Sequence, residues 1–283
     1  MSSPLPRLAG VCGWPIHHSL SPVLHGYWLK QAGLRGAYVP FMVKPWEARD
    51  AFRSLTRTTI AGVNVTLPLK TDAFLAADEA TEDAQRIGAA NCLYVRRGRL
   101  IAHNTDLEGF AAPLLGRLGP QELMDTSALI IGAGGAARAV VGALLSLGLP
   151  EILVTNRTDE RAEDLAAQAG LPNFHAVRWA ERQSALGRAG LIINASAAGM
   201  SGMPALDVDL ADAPEGALVY DLIYTPEETP LLAQAAARGL PTLGGLDMLI
   251  AQARPSFRLF FGVDAPKADE AEVLRRALAT GQR

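Results

Sequence analysis

Gly132-Ala133-Gly134-Gly135-Ala136-Ala137 stands between a short apolar run, Ala128–Ile131, and a longer apolar stretch over 136–147. Four apolar residues bounded by glycine read as a buried strand, and the stretch that follows is long enough for a helix. The segment is therefore a GxGxxA turn from strand to helix. Glycine at 132 suits a tight turn, glycine at 134 leaves room for a pyrophosphate against the backbone, and small Ala137 lets the helix pack on the strand. The free N–H groups and the dipole at the helix start favour an anion there. Such a glycine pattern is weak evidence alone, and the strand before it and helix after it give it force.

The pattern continues outward. Strands are expected at 151–155, 174–177, 191–194 and 217–221, each followed by a turn or a helix. Strands alternating with helices predict an α/β fold, a Rossmann-type doubly wound parallel sheet. The end of the second strand selects the nucleotide. A NAD site places Asp or Glu there, about 20 residues past the turn, to bond the ribose 2′-hydroxyl. This chain instead has Asn156-Arg157-Thr158, with Arg161 one helical turn on. The Arg157 guanidinium is a planar fork of donors suited to a 2′-phosphate, so the expected cofactor is NADP(H). Thr158 also suits a helix cap.

The first hundred residues read as a separate α/β domain, with strands at 8–12, 37–42 and 61–65 and helices at 22–32 and 46–55. Ser21-Pro22 looks like a capping hydroxyl followed by proline at the first helical position. Segments 91–96 and 100–104 flank Arg97-Gly98 as a hairpin would. Two helices, 248–261 and 268–279, close the chain, and Pro255 is expected to kink or split the first.

Bulk properties narrow the field. The chain has 283 residues and a net charge of -3, which offers no footprint for nucleic acid. Its 2 cysteines, Cys12 and Cys92, are far apart and lack ligand spacing, which argues against a disulfide scaffold or a zinc site. His17 and His18 are adjacent, and His25 has no HExxH partner, so no metal is expected. Ser19 lacks a nucleophile elbow. No secretory leader or membrane span is read, and a reducing cytoplasm is the expected setting.

Segments dense in polar residues beside glycine and proline follow the strands of the first domain: Gly13-Trp14-Pro15-Ile16-His17-His18-Ser19-Leu20-Ser21-Pro22, Gly62-Val63-Asn64-Val65-Thr66-Leu67-Pro68-Leu69-Lys70, and His103-Asn104-Thr105-Asp106-Leu107-Glu108-Gly109. These resemble the PIxHSLSPxxH, GxNVTxPxK and NTDxxG signatures of the shikimate dehydrogenase family. The likeness extends in order through Gly88-Ala89-Ala90-Asn91, the glycine turn, Asn156-Arg157-Thr158, Tyr220-Asp221-Leu222-Ile223-Tyr224 and Gly245-Leu246-Asp247-Met248-Leu249-Ile250-Ala251-Gln252. It covers nearly the whole chain. Cys92, where Thr often follows the asparagine, and Asn194-Ala195-Ser196-Ala197, in place of a more hydroxyl-rich run, depart from the commonest family pattern.

The resemblance implies reversible reduction of 3-dehydroshikimate to shikimate by NADPH, a step towards chorismate and the aromatic amino acids. It makes Lys70 the acid/base and Asp106 its partner, with Asp106 also touching substrate. Ser19 and Ser21 match the hydroxyls that bind the substrate carboxylate, and Thr66, Asn91, Tyr224 and Gln252 match further substrate positions. Gly132, Ala133, Gly134, Gly135 and Ala136 match one cofactor stretch; Asn156, Arg157, Thr158 and Arg161 match another. Leu222 and Gly245 match positions beside the nicotinamide, and Glu82 a position linked to the cofactor. A substrate domain over residues 1–106, completed by 245–283, and an NADP domain over 107–244 are expected, with the active site in the cleft between them. A quinate or aminoshikimate dehydrogenase and a non-catalytic NADP-binding sensor remain as rival readings. No nucleic-acid or membrane partner is expected, and a homodimer stays open.

Overall fold

The computed structural model describes residues 6–281. The chain forms two compact units: one runs to Gly109 and resumes at Leu249, and the other spans Phe110–Met248.

The first unit opens with β1 (Arg7–Gly13), α1 (Ser21–Gln31), β2 (Gly36–Met42), α2 (Ala48–Ser54) and β3 (Ile60–Val65). It continues through α3 (Lys70–Ala76), β4 (Glu79–Ala80), α4 (Glu82–Ile87), β5 (Cys92–Arg96), β6 (Arg99–His103) and α5 (Asp106–Arg117), which carries the chain out of it. Its six-stranded sheet runs β2-β1-β3-β5-β6-β4. β1 pairs in parallel with β2 and β3, whereas β5 is antiparallel to both β3 and β6. The β5–β6 hairpin turns through Arg97 (φ 53°) and Gly98 (φ 77°), the paired positive angles of a two-residue turn that follows strand twist.

The faces of this sheet bury different side chains. Phe52, Val63, Val65, Leu69 and Leu93 pack in an aliphatic-rich cluster with α2 and α3. Aromatic rings meet elsewhere: Trp28 of α1 lies 5.6 Å from Phe257, and Tyr38 stacks on His25 at 3.9 Å. Phe257 belongs to α11 (Gly245–Phe261), which brings the chain back, and an Arg254–Glu270 ion pair joins that helix to α12 (Glu270–Thr280).

The second unit is built from α6 (Pro120–Met124), β7 (Ala128–Ile131), α7 (Gly135–Leu147), β8 (Ile152–Thr155), α8 (Asp159–Ala169), β9 (Phe174–Val177) and α9 (Arg182–Leu186). β10 (Leu191–Asn194), β11 (Leu218–Asp221), α10 (Pro230–Ala237) and β12 (Thr242–Leu243) complete it. All pairings are parallel, in the order β12-β11-β10-β7-β8-β9. The chain begins in the middle, builds outward to one edge, then crosses back, which is the Rossmann winding. Strands β7, β8, β10 and β11 are buried throughout, as expected of a sheet covered on both faces.

Two local details differ from expectation in part or whole: the split at Pro255 and the cap at Ser21. Pro255 does not split its helix: α11 is continuous through it. Proline there removes one helical donor, but Ala253, Phe257 and Phe260 around it are almost wholly buried, and that packing holds the helix together. Ser21 is not a cap either. Leu20 occupies the cap position with no side-chain bond, Ser21 is already helical, and Ser19 Oγ accepts from Ser21 N–H at 3.3 Å.

Gly62 marks a tight approach between the first sheet and α11. A Cβ there would stand 2.4 Å from the Phe260 ring and 2.5 Å from the Leu93 carbonyl. Gly62→Ala should therefore lower the unfolding free energy by about 1–3 kcal/mol, the usual range for overpacking. Chemical denaturation checks this; an unchanged midpoint would mean the α11 contact is loose.

Candidate active site

Lys70 and Asp106 each sit in the first turn of a helix, α3 and α5. The sheet brings these helix starts together although 36 positions separate them: Lys70 Nζ donates to Asp106 Oδ2 at 2.7 Å. Their side chains are 18% and 9% exposed. A pair this far out of water needs its remaining valences satisfied.

Asn91 supplies that. Its Nδ2 donates to Asp106 Oδ1 at 2.7 Å and to Thr105 Oγ1 at 3.0 Å, and its Oδ1 accepts from Thr105 N–H at 2.7 Å. Asn104 Oδ1 accepts from the Asp106 N–H, while Asn104 Nδ2 reaches the Ala89 carbonyl. Gln252 of α11 brings its Oε1 to 3.4 Å from both Asn91 Nδ2 and Thr105 Oγ1. Behind them, Asn64 Nδ2 donates to the Asn91 carbonyl (3.2 Å) and to Ser256 Oγ (2.8 Å), and Tyr38 donates to Asn64 Oδ1 (2.8 Å).

The structure thus assembles Lys70, Asp106, Asn91 and Gln252 of the expected residues. Ser21, buried at the start of α1, has a hydrogen-bonding neighbour in Tyr38, and half-buried Thr66 follows β3, its N–H on the Cys12 carbonyl. Glu82 is exposed at the start of α4, which Thr81 caps. Sequence reasoning passed over Asn64, Thr105, Ser256 and Tyr38. The first two lay inside the quoted motifs; Ser256 and Tyr38 gave no local signal.

Burial decides the state of other groups nearby. Cys12 and Cys92 are free, and burial pushes both thiols up to about 12, so neither is a nucleophile. His25 is wholly buried among aromatic rings and lowered to about 3, hence neutral. Among the described residues no group of three or more His, Cys, Asp or Glu could hold a metal ion. No described helix is long and apolar enough to cross a membrane.

In the second unit, Gly132 ends β7 with φ +119°, and a Cβ there would lie 2.9 Å from the Ala195 backbone. Ala133 lies between it and Gly134, which occupies the cap of α7 without a side-chain bond. Gly134 and Gly135 have nothing within 4 Å of where a Cβ would stand, so their backbone is open to a ligand; Ala136 follows in the first turn. After β8, Arg157 and Arg161 are exposed, and Asn156 Nδ2 bonds the Thr158 carbonyl. Thr158 is at the cap of α8, but its hydroxyl makes no capping bond. The α8 carboxylate closest in sequence, Asp159, is held by the Trp179 N–H at 2.7 Å.

A second buried carboxylate organises the far side of this unit. Asp221 accepts from Asn194 Nδ2, Ile223 N–H and Thr229 Oγ1 at 2.6–3.1 Å. It thereby shapes the Leu222-Ile223-Tyr224 loop, whose Ile223 carbonyl accepts from Gly245 N–H.

A Rossmann unit with an open glycine turn, in one chain with an α/β unit that carries a desolvated lysine–carboxylate pair, is the equipment of a nucleotide-dependent oxidoreductase. Comparison with known proteins gives the family. Residues 11–93 match the shikimate dehydrogenase substrate binding domain, 116–221 the shikimate / quinate 5-dehydrogenase model, and 245–278 the shikimate 5'-dehydrogenase C-terminal domain. The NADP(+) shikimate dehydrogenase of Paramagnetospirillum magneticum is 46% identical over 93% of this chain and 96% of its own. Among solved structures, shikimate 5-dehydrogenase from Thermus thermophilus, in complex with NADP(H) and shikimate, aligns with TM-score 0.85 at 37% identity over 96% of this chain and 100% of that one. The 5-ketofructose reductase of a Gluconobacter species aligns with TM-score 0.88 at 30% identity, over 96% and 99%. The chain belongs to the shikimate dehydrogenase family, whose members are NADP-dependent oxidoreductases.

Desolvation raises the carboxyl pKa of Asp221 above its ordinary value. A folded value above the unfolded one, near 3.9, means that the folded state binds this proton more tightly. The contribution of Asp221 to stability is thus largest at low pH and falls as pH rises through the folded value. The unfolding free energy of the wild type minus that of Asp221→Asn should decline upward from about pH 4 and then level off. Denaturant titrations across that window check the sign, and a rising difference would reverse the assignment.

Proposed function

We propose that this chain catalyses the reversible NADPH-dependent reduction of 3-dehydroshikimate to shikimate, with Lys70 as acid/base. The observation that carries this reading is the 2.7 Å Lys70–Asp106 pair, set inside the family motifs and braced by Asn91.

The cofactor fits the second unit. The open backbone at Gly134 and Gly135, at the start of a 13-residue helix, suits a pyrophosphate. Arg157 and Arg161, with Asn156 and Thr158 beside them, suit a 2′-phosphate, and Leu222 and Gly245 are assigned to the nicotinamide side. Glu82 is assigned a lesser cofactor role. NADPH, when bound, supplies the hydride that goes to the carbonyl carbon.

The remaining work falls to side chains of this chain. Ser19 and Ser21 orient the substrate carboxylate by donating hydrogen bonds, and Thr66, Asn91, Tyr224 and Gln252 fix the ring hydroxyls. The Lys70 ammonium faces the oxygen on which negative charge develops, stabilises it, and gives up the proton that makes the hydroxyl. In the reverse direction the neutral amine removes that proton. Asp106 holds Lys70 in place, and its other oxygen is kept by Asn91. A reducing cytoplasm fits the two free, buried thiols.

NADP reduction with shikimate, quinate and aminoshikimate side by side tests the reading. Shikimate should give the highest kcat/KM; turnover of quinate or aminoshikimate ahead of it would move the assignment to a sister activity. Tight NADPH binding without any turnover would leave a sensor. Lys70→Ala should cut kcat by roughly 10²–10⁴ with a modest change in KM, the range for losing a general acid. A kcat within a few-fold of wild type would remove Lys70 from the chemistry.

Arg157→Ala with Arg161→Ala tests the cofactor site separately. Charge-assisted bonds to a phosphate are roughly twice as strong as neutral ones and are screened by salt. The double variant should raise KM for NADPH far more than for NADH and flatten the salt dependence. Retained NADPH preference would place the 2′-phosphate elsewhere.

A further inference from the structure

Tyr38 belongs to none of the motifs that mark the site, yet it stands at the root of the polar network. It lies on β2, an edge strand of the first sheet, and the residue is 5% exposed. The ring is clamped: His25 stacks on it at 3.9 Å with the planes 8° apart, and Phe260 lies at 6.5 Å. His25 cannot compete for the phenol, because neither of its ring nitrogens has a hydrogen-bond partner. The phenol hydroxyl therefore has a fixed position, and its proton goes to Asn64 Oδ1 at 2.8 Å.

That bond has a directional consequence. A carboxamide has an oxygen end and a nitrogen end, and a donor at one end dictates which way it faces. With Oδ1 held by Tyr38, Asn64 must present Nδ2 to the Asn91 carbonyl and to Ser256 Oγ, which is what is found. Asn91 then places its own Nδ2 on Asp106 Oδ1, and Asp106 is left with Oδ2 for Lys70. The links from Tyr38 to Asp106 are hydrogen bonds between buried groups, with Ser21, Thr105 and Gln252 as the flanking partners. Burial also keeps the phenol far above its usual pKa, so it remains a donor throughout the working pH range.

We propose that Tyr38 is a positioning residue for proton transfer: its hydroxyl orients Asn64, which holds Asn91 and through it the Asp106 carboxylate that fixes Lys70. This rests on the reading of Lys70 as the acid/base. Tyr38 is assigned no contact with substrate or cofactor. Its other hydrogen-bonding neighbour is Ser21, so an effect on substrate binding through Ser21 would show in KM for shikimate, whereas the positioning role shows in kcat and Lys70 labelling.

Tyr38→Phe keeps the ring and its stack and removes one oxygen. It should lower kcat with shikimate by roughly three- to thirtyfold, as expected for a buried acceptor left without its donor. KM for NADPH should not move, because the elements assigned to the pyrophosphate and the 2′-phosphate lie in the other unit. In an Asn64→Ala background the same substitution should do nothing further, since the link is already cut. If Asn64→Ala does not fold, Asn64→Asp, which keeps an acceptor for Tyr38 but lacks the amide donors, serves as the second arm. A readout free of turnover is the rate of Lys70 acylation by acetic anhydride, measured by peptide mapping: it should rise in Tyr38→Phe relative to Lys30 and Lys44. Wild-type kcat together with unchanged Lys70 labelling would overturn the proposal, as would full additivity with Asn64→Ala. If the wild type fails to turn over shikimate but Tyr38→Phe still frees Lys70, the substrate reading falls and the positioning role stands.

Discussion

Asp106 has two carboxylate oxygens and almost no water, and that constraint shapes the first unit. An ionised carboxylate at 9% side-chain exposure is tolerable only if both oxygens are engaged. Lys70 takes one and Asn91 the other. Asn91 is itself buried and must be satisfied in turn, which draws in Thr105 and Asn64, and Asn64 draws in Tyr38 and Ser256. The requirement spreads from one charge to strands β2 and β3, the loop before β5, the start of α5 and the middle of α11. This gives a physical reason for the chain to come back: without α11 the Asn64 amide would lack Ser256, and Gln252 would be missing beside Asn91 and Thr105. Networks of this kind are costly when partly satisfied and rigid when complete.

The second unit solves a similar problem with a different purpose. Asp221 is fully buried at the end of β11, and no ion pair to it is found among the described residues. Its partners are one amide, one hydroxyl and one backbone N–H, so dipoles rather than charge compensate it, and its pKa is raised by desolvation. A carboxylate so held makes a good brace for loops. It fixes the turn after β10 through Asn194 and the segment after β11 through Ile223, and it anchors the α10 cap through Thr229.

Much of this was legible where the signal is local. The apolar runs of β7, β8, β10 and β11 and the glycine turn before α7 define the Rossmann winding because each reports on a few adjacent residues. The hairpin around Arg97-Gly98 was legible for the same reason, and so were Lys70, Asp106, Asn91 and Gln252 from their motifs. What escaped is non-local. Ser256 bonds Asn64 across 192 positions, and Tyr38 reaches it across 26, with nothing in either neighbourhood to mark the contact. Ser21-Pro22 misled by being plausible: α1 does begin here, but Ser21 is its first helical residue and Leu20 the cap. Of the two outcomes expected at Pro255, the split does not occur: propensity weighs one residue, whereas packing on both sides of it keeps the helix continuous.

The choice of lysine as the proposed proton carrier also follows from this unit's own chemistry. Histidine is the usual carrier near neutral pH, but His25 is enclosed by rings and is neutral, at about 3, throughout the working range. His103 borders the Asn104–Asp106 turn, yet burial lowers its pKa as well, and its Nδ1 is engaged by Thr81. The Tyr38 phenol is raised and its proton is committed to Asn64. The thiols of Cys12 and Cys92 are pushed up to about 12. A fold that buries its site deeply enough to fix Asp106 thereby removes His25, the Tyr38 phenol and the two thiols from acid–base work. Lys70, at a helix start, 18% exposed and paired with Asp106, still reaches solvent and is held in place by a carboxylate. In the proposed reaction, the burial that immobilises the carboxylate is also what assigns the proton to Lys70.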